Sequence, residues 1–432
     1  MRLELATFNV KDVRFGSGTR LDNGILELDH DALLLPVLAD ADIEEAKLEI
    51  AKPGDSTRIV GYIDIVEPRV KVSGQGMTYP GKVGRPIDTV GEGRTHRLAG
   101  VGVIACHDQG IIPYLDREEI VRPNRRATWA WHRFIDMSGP GAILPYASTT
   151  NVCLTLKLKD GLTISDRAVV IDTALLRLSD RLAETTVDLE PSSVEAFDLT
   201  ENDPSLPNVV FIALLAASEI TVGPRSPHGT AIYGVTRLSA PWVLGPTELL
   251  DGAVTGTHTH DTWPLVNNPV VEGLCRRHGK DLNFVGCMIG RTNWGGEDEM
   301  KLAANRAAQA ARLLGATGAI VTNDVRGRRF VDSVRTIEAC ERLGIQTIFL
   351  TEEEDNEEGN APPFLYHPAA MAAVVSTGTG QAGPFPAVER VIGGVNGMDA
   401  AWYDEMKLIV GRYGVGHVRD HYGTGAQSCV DY

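Results

Sequence analysis

Reactive side chains are densest at Gly256-Thr257-His258-Thr259-His260-Asp261. Residues i and i+2 of an extended segment point to the same side, so the imidazoles of His258 and His260 can reach one ion. Asp261 can add a third ligand, orient a histidine from behind the metal, or serve as general base. The spacing therefore suggests a divalent metal, zinc or iron, held by His258, His260 and Asp261. Such an ion polarises a carbonyl or an amine-bearing substrate and lowers the pKa of bound water. Thr257 brings a hydroxyl to the same stretch. His228, in Pro227-His228-Gly229, and the pair His417 and His421 are further imidazoles that folding could bring in, His228 on the substrate side. The plainer alternative is a loop of hydrogen-bonded histidines, since 11 histidines in 432 residues will cluster somewhere.

Other motifs are weaker. Residues 378–383 (GTGQAG) match the glycine pattern of a dinucleotide loop, yet Pro384 and Pro386 follow where a helix should open. Residues 136–142 (DMSGPGA) and Asn267-Asn268-Pro269 read as turns, because glycine reaches backbone angles closed to other residues and the residue before a proline avoids helix. Asn267 and Asn268 are also candidates for shaping a substrate pocket beside the histidines. No GxSxG nucleophile elbow is present. Cysteines at 106, 153, 275, 287, 340 and 429 form no CxxC pair and no zinc-finger spacing, and they read as buried thiols of a reducing compartment.

Charge narrows the function classes. With 41 Lys and Arg against 57 Asp and Glu, the net charge of −16 repels nucleic acid phosphates and anionic membrane surfaces. No apolar run approaches the roughly eighteen residues of a membrane span, and residues 1–10 lack the basic and apolar regions of a signal peptide. A soluble, cytoplasmic protein that binds neither nucleic acid nor membrane is the expectation.

The elements that must position these residues follow from periodicity. The expected fold class is α/β, with a strand-rich N-terminal part followed by a C-terminal Rossmann-like parallel sheet with helices on both faces. Residues 1–170 read as strands and turns, for example 58–67 (RIVGYIDIVE) and 152–158 (VCLTLKL). Residues 171–256 form a connecting segment with the presumed site at its end. In and around it, 166–184 is helical through Leu175, Leu178 and Leu182, and the polar 190–207, with three prolines, is a connection rather than core. Residues 257–432 form the Rossmann-like part. There 282–289 is a buried strand, followed by a helix with Met300, Ala303, Ala307, Ala310 and Leu314 on one stripe. Strand 319–322, a helix burying Phe330, Val334 and Ile337, strand 346–350 and the apolar run 371–375 complete it. Ligands of such sheets bind beyond the carboxyl ends of the strands, here at 290–296, 323–328, 351–356 and 376–383.

Several stretches are identifiable as a family pattern. Residues 91–98 (GEGRTHRL), 136–141 (DMSGPG), 251–253 (DGA), 267–271 (NNPVV), 278–286 (HGKDLNFVG) and 375–378 (VSTG) occur in order over nearly the whole chain. Together they resemble the precursor of the α and β subunits of component B of glycine/sarcosine/betaine reductase. The resemblance implies a precursor that cuts itself before a cysteine shortly after the DGA element, the new N-terminal cysteine becoming a pyruvoyl group. Its carbonyl forms a Schiff base with the substrate amine, while a separate selenoprotein subunit attacks the carbon and releases the amine.

The chain departs from that pattern where it matters most. The family's cysteine position falls at about His258, and no cysteine occurs between Cys153 and Cys275. Histidine has no leaving group at Cβ, and Thr257 would give a 2-oxobutyryl rather than a pyruvoyl group. A metal held by the histidine cluster therefore takes the place of the pyruvoyl cofactor in this reading. Three functions compete: an unprocessed, metal-assisted enzyme acting on a C–N bond of a small amine or amide, hydrolytic or reductive; a component B-like subunit doing reductive deamination with a selenoprotein-like partner subunit; and a non-catalytic scaffold paralogue. Assembly as a homo-oligomer is expected from the family. The chain should stay whole, so intact-mass spectrometry should show one species, and two fragments meeting near residue 257 would contradict this reading.

Overall fold

A computed structural model describes residues 1–82, 85–86, 88–107, 134–216, 231–232, 241–256, 261–292, 296–323, 330–351, 372–378, 385–393, 403–404 and 422–424. The first half carries β1 (Arg2–Asn9), β2 (Asp12–Phe15), β3 (Arg20–Asp22), β4 (Ile25–Leu28), α1 (His30–Leu38) and β5 (Ile43–Ala51). Next come β6 (Thr57–Val60), β7 (Tyr62–Val66), β8 (Arg69–Ser73), β9 (Gly93–Ala99), β10 (Val101–His107), β11 (Phe134–Asp136) and β12 (Thr150–Leu158). Helix α2 (Ile164–Ala183) and β13 (Ser193–Asp198) close this half.

Two four-stranded sheets, β13-β1-β9-β8 and β5-β12-β10-β7, share one core with α2. The chain passes from one sheet to the other at Gly100, whose φ of +87° suits glycine. The run RIVGYIDIVE is likewise two strands, because Gly61 at φ +67° turns the chain between β6 and β7. They join different sheets: β6 pairs with β11 and with β22 (Arg390–Gly393), and β7 pairs with β10. Thr163 and Asp166 close a capping box that starts α2, and Leu175, Leu178 and Leu182 are buried as their spacing predicts. The 190–207 stretch, expected as a connection, contains β13. It is an edge strand that puts Phe197 into the core and leaves most of its polar residues in solvent.

The second half carries β14 (Asn208–Ala216), β15 (Ala231–Ile232), β16 (Trp242–Leu244), β17 (Val254–Thr255), α3 (Thr262–Val266) and α4 (Pro269–Arg277). It continues with β18 (Asn283–Thr292), α5 (Glu297–Leu313), β19 (Gly318–Asn323), α6 (Phe330–Arg342), β20 (Gln346–Thr351) and β21 (Ala373–Ser376). Its sheet has the order β16-β18-β14-β19-β20-β21, parallel throughout except for the antiparallel edge strand β16. The fold is thus mixed α/β. Helices α5 and α6 cover one face through Ala304, Ala308, Ala311, Val334 and Ile337. The other face meets α4, the 249–254 segment, and Leu3, Leu5 and Phe197 of the N-terminal half. The central strand β14 comes from residues that the sequence pattern assigned to the connector. On α5 the buried stripe is Ala304, Ala307, Ala308 and Ala311, one position round from the expected Met300–Leu314 stripe. Among the described residues no helix is long and apolar enough to cross a membrane.

Asp136 of the DMSGPG motif shows what a turn-like motif does in this fold. Its two carboxylate oxygens accept from Arg58 Nε at 2.6 Å and Nη2 at 2.9 Å, with both side chains buried. Arg58 also donates to the carbonyl oxygens of Pro386 and Asp404, so the pair ties β6 to the distal part of the chain. Burial pushes the Asp136 carboxyl up, and the Arg58 guanidinium pulls it back. Gly141 is needed because a Cβ there would lie 2.4 Å from the Phe385 ring. Removing one member of a buried pair leaves the other charge uncompensated, so Asp136→Ala should destabilise the chain by about 3–5 kcal/mol in urea unfolding. A loss below about 1 kcal/mol would contradict this role.

Candidate functional site

Two of the sequence motifs form one hydrogen-bonded unit. Asp251 is buried on a 3₁₀ turn, Leu249–Asp251, and accepts from Thr95 Oγ1 at 2.6 Å, from the Gly91 N–H at 2.7 Å and from Lys71 Nζ. The GEGRTHRL stretch therefore fixes the DGA turn in place. Gly252 takes φ +93°, and a Cβ on it would approach the Tyr79 N–H at 3.0 Å. Arg69 of β8 lies fully buried beneath this turn. It donates to Glu67, to the carbonyls of Leu250 and Val266, and to Asn267 Oδ1 at 2.8 Å. Burial works against its charge, but Glu67, Tyr79 and Asp251 together more than offset this and hold the guanidinium pKa above its ordinary value.

Beyond the DGA turn, β17 pairs with β15, and the chain then reaches Gly256. The Gly256 N–H donates to Thr262 Oγ1 at 2.8 Å. Thr262 in turn donates through its N–H to Asp64 Oδ1 at 2.8 Å and through its hydroxyl to Asp64 Oδ2 at 2.6 Å. Both ends of the 257–260 stretch are thus drawn to one carboxylate of β7. Gly256 has little room for a side chain, since a Cβ would lie 3.0 Å from Asp64 Oδ2. Lys82 Nζ stands 3.2 Å from Asp64 and 3.4 Å from Asp172 of α2. Burial opposes the charge of Lys82, while Asp172 and Asp64 outweigh it and raise its pKa.

Asp261 is buried at the entry to α3. Its Oδ2 accepts from Tyr146 Oη at 2.8 Å and from Tyr62 Oη at 3.3 Å. The Tyr146 ring packs edge-on to Trp263 at 5.7 Å and to Tyr62 at 6.5 Å, which fixes the direction of its hydroxyl. Asp261 therefore directly follows the 257–260 stretch in sequence, and Asp64 is reached from Gly256 through Thr262. A buried carboxylate held by phenol donors has a defined orientation, as a metal ligand, proton acceptor or hydrogen-bond anchor for a cation needs.

Of the residues proposed from the sequence, Thr257, His258, His260, His228, His417 and His421 lie outside the described residues. Asn267 accepts from Arg69 and Arg97 and donates to the Trp263 carbonyl. Asn268 caps α4, accepting from the N–H groups of Val270 and Val271, with Pro269 as first helical residue. Both asparagines thus hold the backbone that follows the site. Among the described residues no group of three or more His, Cys, Asp or Glu is placed to hold a metal ion. Cys275 is the first cysteine after the DGA turn, and it is buried in α4 with its thiol pKa pushed up to about 12 by burial. Sequence reasoning missed Asp64, Tyr62, Tyr146, Lys82 and Arg69. Its one signal was a lone aspartate inside the otherwise apolar YIDIV strand. Tyr146→Phe should lower unfolding free energy by about 1 kcal/mol and Tyr62→Phe by less, in keeping with the shorter Tyr146 bond. The reverse order in urea unfolding would show that Asp261 is held in another way.

Comparison with known proteins places this geometry in context. The family model described as glycine/sarcosine/betaine reductase component B subunits matches residues 1–404. Component B subunits alpha and beta of the glycine reductase complex of Acetoanaerobium sticklandii are 30% identical over 411 residues, covering 92% of this chain and 90% of that protein. The sarcosine reductase complex component B subunit alpha of Peptoclostridium acidaminophilum is 30% identical over 408 residues, covering 91% and 89%. The betaine reductase complex component B subunit alpha of the same organism is 29% identical over 400 residues, covering 88% and 84%. No solved structure matches. The buried DGA turn and the Gly256–Thr262–Asp64 contacts after it thus belong to a member of the glycine/sarcosine/betaine reductase component B subunit family.

Proposed function

We propose that this chain is the substrate-activating subunit of a reductase-type system that cleaves the C–N bond of a small amine, with residues 257–261 as its reacting segment. The observation that carries the reading is the closure of that segment, through Gly256 and Thr262, on the buried carboxylate of Asp64. Names of the relatives point to glycine, sarcosine and betaine as the substrate class. Their description as complex components supports a partner chain, which would supply the reducing nucleophile.

Because this chain offers no cysteine for a covalent carbonyl, a divalent metal, zinc or iron, is our candidate electrophile. His258 and His260 would bind it, with Asp261 oriented by Tyr62 and Tyr146, and it would polarise the substrate's carboxylate or amine. Asn267 and Asn268 would act by holding the backbone behind the site. The test combines metal analysis with amine release from glycine, sarcosine and betaine, with and without the partner chain. The expected result is about one equivalent of metal, lost in the His258→Ala/His260→Ala variant, and partner-dependent amine release that falls about 10–100-fold or more with it. No metal in the native chain would refute the metal assignment. Amine release that needs no partner would refute the reductive reading in favour of hydrolysis.

A further inference from the structure

The second sheet carries an unexplained polar cluster on the face away from the DGA turn. Its parallel strands run in the order β18-β14-β19-β20-β21, so the direction of strand addition reverses between β14 and β19, where sheets of this kind accept ligands beyond the carboxyl ends. The register aligns Leu214 of β14 with Gly290 of β18 and Asn323 of β19, and Asn323 follows Val321 on the face covered by α5 and α6. Thr292, four residues beyond Met288, and Thr351, two beyond Phe349, end their strands on that same face. Asn323 and Thr351 end neighbouring strands and Thr292 ends the strand on the far side of β14, and all three are polar where the layer is otherwise apolar.

Two of these three, Asn323 and Thr292, carry buried side-chain atoms without a hydrogen-bond partner. Asn323 is 2% exposed, and neither its carboxamide oxygen nor its nitrogen meets a partner. The hydroxyls of Thr292 and of Ser333 are fully buried and equally unpartnered. Ser333 lies in the first turn of the 13-residue helix α6, where the opening N–H groups have no intrahelical acceptor. Asp332 shares that turn and is already engaged by an interaction of its own. Orphaned donors in a core are destabilising and rare, and a set of them around a helix N-terminus has the makings of an oxyanion cradle.

The geometry points to a binding site for a small oxyanion, a carboxylate or a phosphate group, between the ends of β18 and β19 and the first turn of α6. Asn323 Nδ2 and the hydroxyls of Thr292 and Ser333 are the side-chain donors, and the α6 N-terminus supplies backbone N–H groups and its dipole. The site lies on the opposite face of the sheet from residues 249–254, so it stands independently of the reaction proposed above.

Isothermal titration and thermal unfolding of the full chain, with acetate and with inorganic phosphate in separate arms, test the site. Saturable binding of one ion with a raised Tm is expected, the responding arm identifying carboxylate or phosphate. Asn323→Leu should weaken that binding about tenfold or more, while its ligand-free Tm equals or exceeds that of the native chain because the orphaned amide is gone. Thr292→Val, which keeps the side-chain shape, should weaken binding in the same direction and serves if Asn323→Leu fails to fold. No saturable binding of either ion, or unchanged affinity in the variants, would overturn the proposal. A ligand-free Tm several degrees lower in Thr292→Val would overturn it too, by marking these groups as partners within the fold.

Discussion

Asp64 is a charged residue in the middle of β7, with apolar neighbours on both sides and almost no contact with water. Such a residue is tolerable only if its charge and lone pairs are matched. Here they are matched by the Ile65 N–H, the Thr262 N–H and hydroxyl, and Lys82, which in turn reaches Asp172 on α2. The cost of burying the carboxylate therefore falls on any rearrangement that would separate β7 from Thr262. Strand, helix and site segment are coupled through one group, and the DGA turn and Arg69 clamp hold the chain immediately before and after it.

That arrangement secures the chain on either side of residues 257–260. The supports are a turn held by Asp251, the Gly256 and Thr262 contacts that lead to Asp64, and an Asp261 held by two tyrosines. This member of the family has no cysteine between Cys153 and Cys275. In the function proposed above, a metal held by His258 and His260 beside Asp261 would supply the electrophile.

The parts of the fold legible in the sequence are those where one physical signal dominates. Continuous apolar runs gave β18, β19 and β20, and the spacing of Phe330, Val334 and Ile337 gave the buried face of α6. The α5 stripe was misjudged because its helix packs on alanines, while Leu302 and the 89% exposed Leu313 sit outside. Burial there follows close approach of two helices rather than side-chain size. β14 went unnoticed although Val209–Leu215 is an apolar run, because a polar, proline-containing stretch precedes it. The site itself was legible only in its reactive residues. Asp64, Tyr62, Tyr146 and Arg69 are 100 to 200 positions away from their partners at the site, and sequence spacing carries no record of such contacts.

The central claim is that Asp64 and Thr262 fasten the start of α3 to β7 of the N-terminal half. A double-mutant cycle with Asp64→Ala and Thr262→Val, read by urea unfolding, measures that fastening directly. The account predicts a coupling of about 1.5–3 kcal/mol, as for a buried hydrogen bond to a charged group. Additive single effects, with coupling below about 0.5 kcal/mol, would contradict it.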